Sequence, residues 1–273
     1  MPLSKIQTGI LQLLASHRDP ESYVGGSTPL NREALRYSGD IDVFQDREER
    51  VARAAAEDAA VLQEHGYRLE WQRREPAIYT VLVQRGDEAT RLEWVVDSDY
   101  RFFPTMRDDM FGYVLHPVDL AMNKTMAAAG RREVRDLVDL VTIHETILPL
   151  GPVIWAAVEK APGFTPEGLI AEIRRNSSYS SGEWRALLTS APLDPKEILG
   201  RLRVALDEAG EFVGKMPTGK AGLLFLNDGR VVQPDPARLP DYRTHGAQRR
   251  GQWPSSAEIS AAMFERYQRP PTG

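Results

Sequence analysis

The sequence predicts an α+β fold in which helices and strands interleave through the first half and a mainly helical region follows. Two observations carry this. Up to residue 148, segments with apolar residues three and four apart take turns with segments of strict apolar/polar alternation, and beyond Pro149-Leu150-Gly151-Pro152 the pattern turns to short helices. At 273 residues, 42% hydrophobic and 27% charged, the chain has ordinary globular composition, with length enough for two domains.

The elements follow in order. Leu3, Ile6, Ile10, Leu13 and Leu14 have helical spacing, and Pro20 closes that first helix. Tyr23-Val24 forms a short strand running into Gly25-Gly26-Ser27-Thr28, where paired glycines open a turn and a hydroxyl caps a helix expected over 31–37. Ile41, Val43 and Phe44 mark a second strand, 47–65 an Ala-rich helix, and 67–74, 78–84 and 91–96 three more strands. His116-Pro117 introduces a helix over 118–129, and Gly130 separates it from another over 131–148. Helices are expected near 153–160, 166–175, 183–189 and 195–213, then a hairpin whose Asn227-Asp228-Gly229 supplies the positive φ of a tight turn, and a loosely ordered basic tail with a last helix over 255–267. The expected division is 1–115, a helix pair 116–150, and 151–273.

Charge and composition narrow the function. The net charge of −5 conceals −7 over residues 1–150 and +2 over 151–273, so a surface able to track phosphate is expected only in the second half. No cysteine is present, which excludes disulfides, thiolate zinc sites and cysteine nucleophiles and leaves any metal to oxygen or histidine. No apolar run approaches the roughly 18 residues of a membrane span. The opening segment lacks the marks of a signal peptide, so a cytoplasmic location without a membrane partner is expected.

The most informative stretch runs from Tyr23 to Phe44. On a strand, Asp40 and Asp42 project from one face while Ile41 and Val43 turn to the core. Two such carboxylates repel, and a divalent cation relieves the repulsion; Mg²⁺ takes one or two carboxylates together with phosphate oxygens and water, with Mn²⁺ as an alternative. Gly25 and Gly26 let the backbone approach an anion, and the turn's N–H groups with the Ser27 and Thr28 hydroxyls offer donors to the phosphates of an NTP. Glu93 in Arg91-Leu-Glu-Trp-Val-Val96 is the candidate third carboxylate of a two-metal site, with Asp97 as its rival. Lys124, on a largely apolar helix, is either held inward as a charge for a triphosphate or snorkels to the surface. Asp136 and Asp139 share a helix face, and Asp136 is placed to orient Lys124 or a bound base across the helix pair. Arg131, Arg132 and Arg135 read as a solvated face from which one side chain could reach a phosphate. His65, His116 and His144 lack metal-ligand spacing, and Trp71, Trp94 and Trp155 read as core.

These residues resemble the nucleotidyltransferase-fold AbiEii/MenT-type family, related to type IV toxin–antitoxin systems. The resemblance rests on Gly25-Gly26-Ser27-Thr28-Pro29-Leu30, on Arg36 through Asp40-Ile41-Asp42 to Phe44, on Asp119-Leu120-Ala121 through Lys124 to Arg131, and on Arg135-Asp136-Leu137-Val138-Asp139-Leu140. It covers residues 20 to 148. It implies a polymerase beta-like mixed sheet with flanking helices, nucleotide binding by Gly26 and Ser27, Mg²⁺ on Asp40 and Asp42, phosphate contact by Lys124, and a site completed by Asp136. Pro29 departs from the family's more usual Gly-Gly-Thr-Ala-Leu. The activity implied is transfer of an NMP from an NTP to an acceptor hydroxyl, in some members the tRNA 3′ end, with an antitoxin protein as partner. The alternatives are a small acceptor such as an aminoglycoside, suited to the acidic first half, or a non-catalytic nucleotide-binding module. A glycosyltransferase, which also uses Asp-x-Asp, is disfavoured because only 39 residues precede Asp40.

Overall fold

The computed structural model describes residues 3–249 apart from 33, 98, 99 and 162, so the helix expected over 255–267 lies outside the described residues. Helix α1 (Lys5–Leu14) starts at Ser4, whose hydroxyl accepts from the Gln7 N–H at 3.3 Å while the Gln7 amide oxygen accepts from the Ser4 N–H at 3.0 Å. This reciprocal cap satisfies two donors that a helix start otherwise leaves open. Ile6, Ile10, Leu11 and Leu14 form the buried stripe.

The main sheet is built from β1 (Ser22–Gly25), β2 (Asp40–Gln45), β3 (Arg68–Glu75), β4 (Ile78–Arg85) and β5 (Glu88–Val96). Two short strands missed by the sequence pattern, β7 (Met106–Asp108) and β8 (Gly112–Val114), complete it; β6 (Tyr100–Arg101) stands apart. The spatial order is β3-β4-β5-β2-β1-β8-β7. Helix α2 (Glu48–Glu64) connects β2 to the β3-β4-β5 meander, which brings β5 back parallel to β2. Alternation then sorts the side chains. Ile41 and Val43 of β2, Leu92 and Trp94 of β5, and Val81 and Val83 of β4 join α1 and α2 in one core, and the other face of the same strands is left for polar groups.

Asp58 of α2 fixes this core from inside. It is buried, accepts from the Trp94 indole N–H at 2.7 Å, binds His17 at 2.8 Å, and pairs with the buried Arg18 guanidinium. A buried carboxylate is tolerable here because every partner is a donor.

The second core belongs to the helices. It includes α3 (Pro117–Gly130), α4 (Val134–Thr146), α5 (Leu150–Ala157), α6 (Pro166–Arg175) and the 21-residue α8 (Pro195–Lys215), with α7 (Ser181–Arg185) at its edge through Trp184. Every residue of α5 is buried, as its apolar sequence requires. Three strands, β9 (Leu224–Asn227), β10 (Arg230–Val232) and β11 (Arg243–His245), close this part in the order β10-β9-β11, and β12 (Gln248–Arg249) pairs with β6. The hairpin turn has the expected geometry: Asp228 and Gly229 both have positive φ, 48° and 77°. Among the described residues, no single helix is long and apolar enough to cross a membrane.

One expected element is absent. Residues 31, 32 and 34–37 form turns, bends and a bridge rather than a helix. Their polar groups are taken by tertiary partners. Arg36 bridges to Thr189, the Tyr37 N–H donates to the Leu188 carbonyl at 3.0 Å, and the Arg36 guanidinium reaches across to Asp139. Local propensity yields to these long-range bonds.

Candidate active site

The register of the sheet assembles the candidate site. Gly25 of β1 lies opposite Asp42 of β2, Asp42 opposite Glu93 of β5, and Glu93 opposite Thr80 of β4. Residues paired across a ladder point to the same face, so one row runs Gly25, Asp42, Glu93, Thr80. Asp40, two residues before Asp42, shares that face and lies opposite Arg91.

The glycine turn sits directly on this row. Gly26 has φ +64°, and a Cβ added there would fall 1.7 Å from Asp42 Oδ2. Both the conformation and the space demand glycine. The expected role of the Ser27 and Thr28 side chains changes here: both are buried and turned inward. The Ser27 and Ser38 hydroxyls are 2.9 Å apart, and the Thr28 and Ser38 hydroxyls each donate to the Asp40 carbonyl at 2.8 Å. These hydroxyls lock the turn onto β2 and are not aimed outward at a ligand.

The carboxylates are unevenly compensated. Asp42 has its carboxyl pushed up to about 7, first by burial and then by the negative charges of Asp40 and Glu93, with Lys124 and Arg135 opposing. Asp40 receives the Arg91 Nη2 donor at 2.7 Å and lies 3.7 Å from Arg135 Nη1. Glu93 lies 3.2 Å from Arg91 Nε and 3.4 Å from the Thr80 hydroxyl. Asp97, the rival for the third position, is elsewhere, accepting from the Tyr23 hydroxyl at 2.6 Å.

Lys124 of α3 is held inward, its side chain only 9% exposed, but its anionic partner is Asp139 at 3.0 Å. Asp136, the residue expected to orient it, pairs instead with Arg131 at 2.8 and 3.0 Å. The two acids are three positions apart on α4, and helical periodicity alone could not say which faced Lys124. Asp139 is fully buried and accepts two bonds from Arg36 at 2.6 Å each, and one from the Asn31 amide at 3.3 Å. Burial alone would raise its carboxyl, but the Lys124 and Arg36 charges outweigh this and hold it below the ordinary value. Arg36, Asp139 and Arg91 are not among the candidate site residues that the sequence picks out, although Arg36 and Asp139 lie in the resembling segments, Asp139 shares a helix face with Asp136, and Arg91 stands at i, i+2 to Glu93 on one strand.

His116 caps α3, its Nδ1 accepting from the Val118 N–H at 3.2 Å. Trp94 and Trp155 are core as expected, whereas Trp71 is only half-buried, packing against Trp94 and Tyr79 with the Arg74 guanidinium over its ring. A cavity of about 510 Å³ lined by Pro29, Leu30, Met106, Phe111, Leu120 and Ile147 contains none of the acids. A second, of about 400 Å³ and lined by Arg132, Arg135, Tyr179 and Leu187, adjoins them through Arg135.

Among the described residues no three His, Asp or Glu side chains stand as a ready-made metal-binding group. The donor set nevertheless suits a hard divalent cation. Asp40, Asp42 and Glu93 offer oxygens on one face, the glycine turn leaves room beside Asp42 that a Cβ would fill, and the raised Asp42 carboxyl reports uncompensated negative charge.

The mixed sheet thus presents paired acids beside a glycine turn, with a helix behind it carrying an inward lysine. The chain has the fold of a nucleotidyltransferase. That fold is shared with MenT4, a nucleotidyltransferase toxin from Mycobacterium tuberculosis H37Rv, at a TM-score of 0.55 and 15% identity over 76% of this chain and 82% of that one. A candidate nucleotidyltransferase from H. pylori aligns at a TM-score of 0.47 and 16% identity over 77% of this chain and 94% of that one. No family model matches the sequence. No curated protein matches it either.

Proposed function

We propose that this chain is a divalent-metal-dependent nucleotidyltransferase that moves an NMP from an NTP to an acceptor hydroxyl. The observation that carries the reading is the seating of the Gly26 turn against Asp42, within a row of three acids backed by an inward-held lysine. Asp40, Asp42 and Glu93 would hold Mg²⁺ or Mn²⁺, and the metal would supply charge stabilisation at the reacting phosphate and the leaving pyrophosphate. The backbone of the Gly25–Thr28 turn would cradle the triphosphate with its N–H groups, since the Ser27 and Thr28 hydroxyls are committed elsewhere. Lys124, kept in place by Asp139, would set a positive charge against the phosphates. Glu93, whose side chain is 21% exposed against 8% for Asp40, would accept the proton of the acceptor hydroxyl as its oxygen attacks the α-phosphate and pyrophosphate departs. Asp136 would act on Arg131 at the rim.

The acceptor we favour is RNA, a tRNA 3′ end, in a toxin of the AbiEii/MenT kind with a protein antitoxin. The support is the fold shared with MenT4 and the cavity beside Asp40, into which Arg135 brings a positive charge, while Arg132 is paired to Glu183 over the Tyr179 ring. The test is incubation with each α-labelled NTP, Mg²⁺ and total RNA, comparing wild type with Asp42→Ala. Label in a tRNA-sized band, lost in the variant, supports the reading. Label only on an added aminoglycoside moves the acceptor to a small molecule, and absence of any turnover with retained NTP binding makes the chain a binding module.

A further inference from the structure

The acids of the row attract one side chain that a metal-holding role leaves unexplained. Arg91 touches two of the three, with Nη2 2.7 Å from Asp40 Oδ2 and Nε 3.2 Å from Glu93 Oε1. The sheet itself delivers it there: β5 sets Arg91 opposite Asp40, and strand alternation sets it on the face of Glu93. Its guanidinium therefore bridges two acids on neighbouring strands, the location that a cation ligated by both would occupy. A divalent ion drawn to the same two carboxylates would set a second, larger positive charge against a guanidinium that stands 2.7 and 3.2 Å from them, so the two cations compete for the pair. The neighbouring cations differ. Lys124 is tied to the buried Asp139, and Arg135 stands 3.7 Å from Asp40. Arg91 is also the most open of the three, its side chain 43% exposed against 9% for Lys124 and 27% for Arg135, so it can leave without disturbing the core.

We propose that Arg91 is the resident counter-ion of the carboxylate row, neutralising Asp40 and Glu93 until a divalent cation displaces it. The inference rests on the metal-dependent reading of the site. It adds that cation binding is a competition with an internal guanidinium. In metal-free protein Arg91 holds β2 and β5 together across their acidic face, and on metal binding it is released at the mouth of the site.

The test is Mn²⁺ binding by calorimetry on the full chain without nucleotide, with thermal unfolding measured in EDTA and in saturating Mn²⁺. Arg91→Gln should bind Mn²⁺ about fivefold more tightly than wild type, the ratio expected when a partly exposed ion pair no longer has to be broken. In EDTA the variant should unfold at a lower temperature than wild type, and saturating Mn²⁺ should remove that difference. Arg53→Gln, on α2 with a side chain 80% exposed and paired to Glu57, deletes the same net charge far from the row and should leave Mn²⁺ affinity unchanged. Equal Mn²⁺ affinity in Arg91→Gln and wild type overturns the proposal, as does equal tightening in Arg53→Gln. Failure of wild type and Arg91→Gln alike to bind Mn²⁺ overturns the metal reading itself, a separate result.

Discussion

Replacing Asp139 by Asn tests the electrostatic foundation under Lys124. The carboxylate is fully buried and faces two cations, Arg36 with its side chain 1% exposed and Lys124 at 9%. The amide keeps the volume and one acceptor oxygen but loses the charge, so two buried cations remain without a counter-ion. Breaking a buried pair in this way costs about 3–5 kcal/mol, and the retained oxygen argues for the lower part of that range. The pH dependence sharpens the test. A carboxylate whose folded pKa is depressed contributes stability above its ordinary value, 3.8 for this group, and that contribution is lost as pH falls through the folded value. Urea unfolding of both proteins should therefore show the full deficit at neutral pH and a narrowing gap as pH falls below 3.8, where wild type sheds the same interaction. Adding Lys124→Met should restore part of the loss, because one of the two orphaned cations is gone. A gap of the same size across the whole pH range, or none at neutral pH, would refute the assignment of Asp139 as the shared counter-ion.

Three further outcomes follow from the same geometry. Gly26→Ala should abolish NTP turnover while leaving the circular-dichroism spectrum intact, since its Cβ meets Asp42 Oδ2 at 1.7 Å and strains a backbone at φ +64°; turnover near wild type would mean that the turn is not at the reacting centre. Asp58→Ala removes the acceptor shared by His17, Arg18 and Trp94, and thermal unfolding should report a loss of about 3–5 kcal/mol from the uncompensated buried Arg18. His17 has its pKa raised, mainly by its hydrogen bond to Asp58, so its contribution is complete below 6.5 and disappears as pH rises through the folded value. His17→Asn should then lie below wild type in stability at acidic pH and converge with it at alkaline pH, and a gap that widens with pH would contradict the pairing.

How much of this was legible in the sequence depends on the range of each interaction. Strands β2, β4 and β5 and helices α2, α6 and α8 show in their own periodicity, because each buries one face, and α6 and α8 also carry their caps locally in Thr165 and Asp194, while β3 shows by its alternation although none of its residues is buried. The acids Asp40 and Asp42 were readable for the same reason: a two-residue repeat on a strand fixes their common face. Glu93 and Asp97 could not be separated, because the choice depends on whether β5 pairs with β2 in a register that sets Glu93 opposite Asp42. The segment 31–37 misled because its local pattern is helical while Arg36 and Tyr37 are claimed by Asp139 and Leu188, more than a hundred residues away. Strands β7 and β8 are three residues each, too short for any alternation to register.

The choice between Asp136 and Asp139 shows where pattern stops and physics decides. Both are buried acids on α4, and each must find a cation or remain an uncompensated charge. Arg131 lies five residues before Asp136 at the α3–α4 junction, so the buried Asp136 is satisfied locally by a half-exposed arginine. Asp139, one helical turn further along, has Arg135 four residues before it, but Arg135 faces Asp40 and Glu133, and Asp139 draws its partners from two other parts of the fold, Arg36 from the segment after the glycine turn and Lys124 from α3. One anion thereby ties the glycine-turn segment, the lysine helix and α4 into a single unit. Arg36 and Lys124 are consequently not interchangeable. Arg36 spends its paired donors on Asp139 and another on the Tyr37 carbonyl at 2.9 Å, so it acts as a brace. Lys124 makes one contact to Asp139, and its positive charge still bears on the Asp42 carboxyl. Of these two cations it is Lys124 whose charge reaches the row where phosphate would bind.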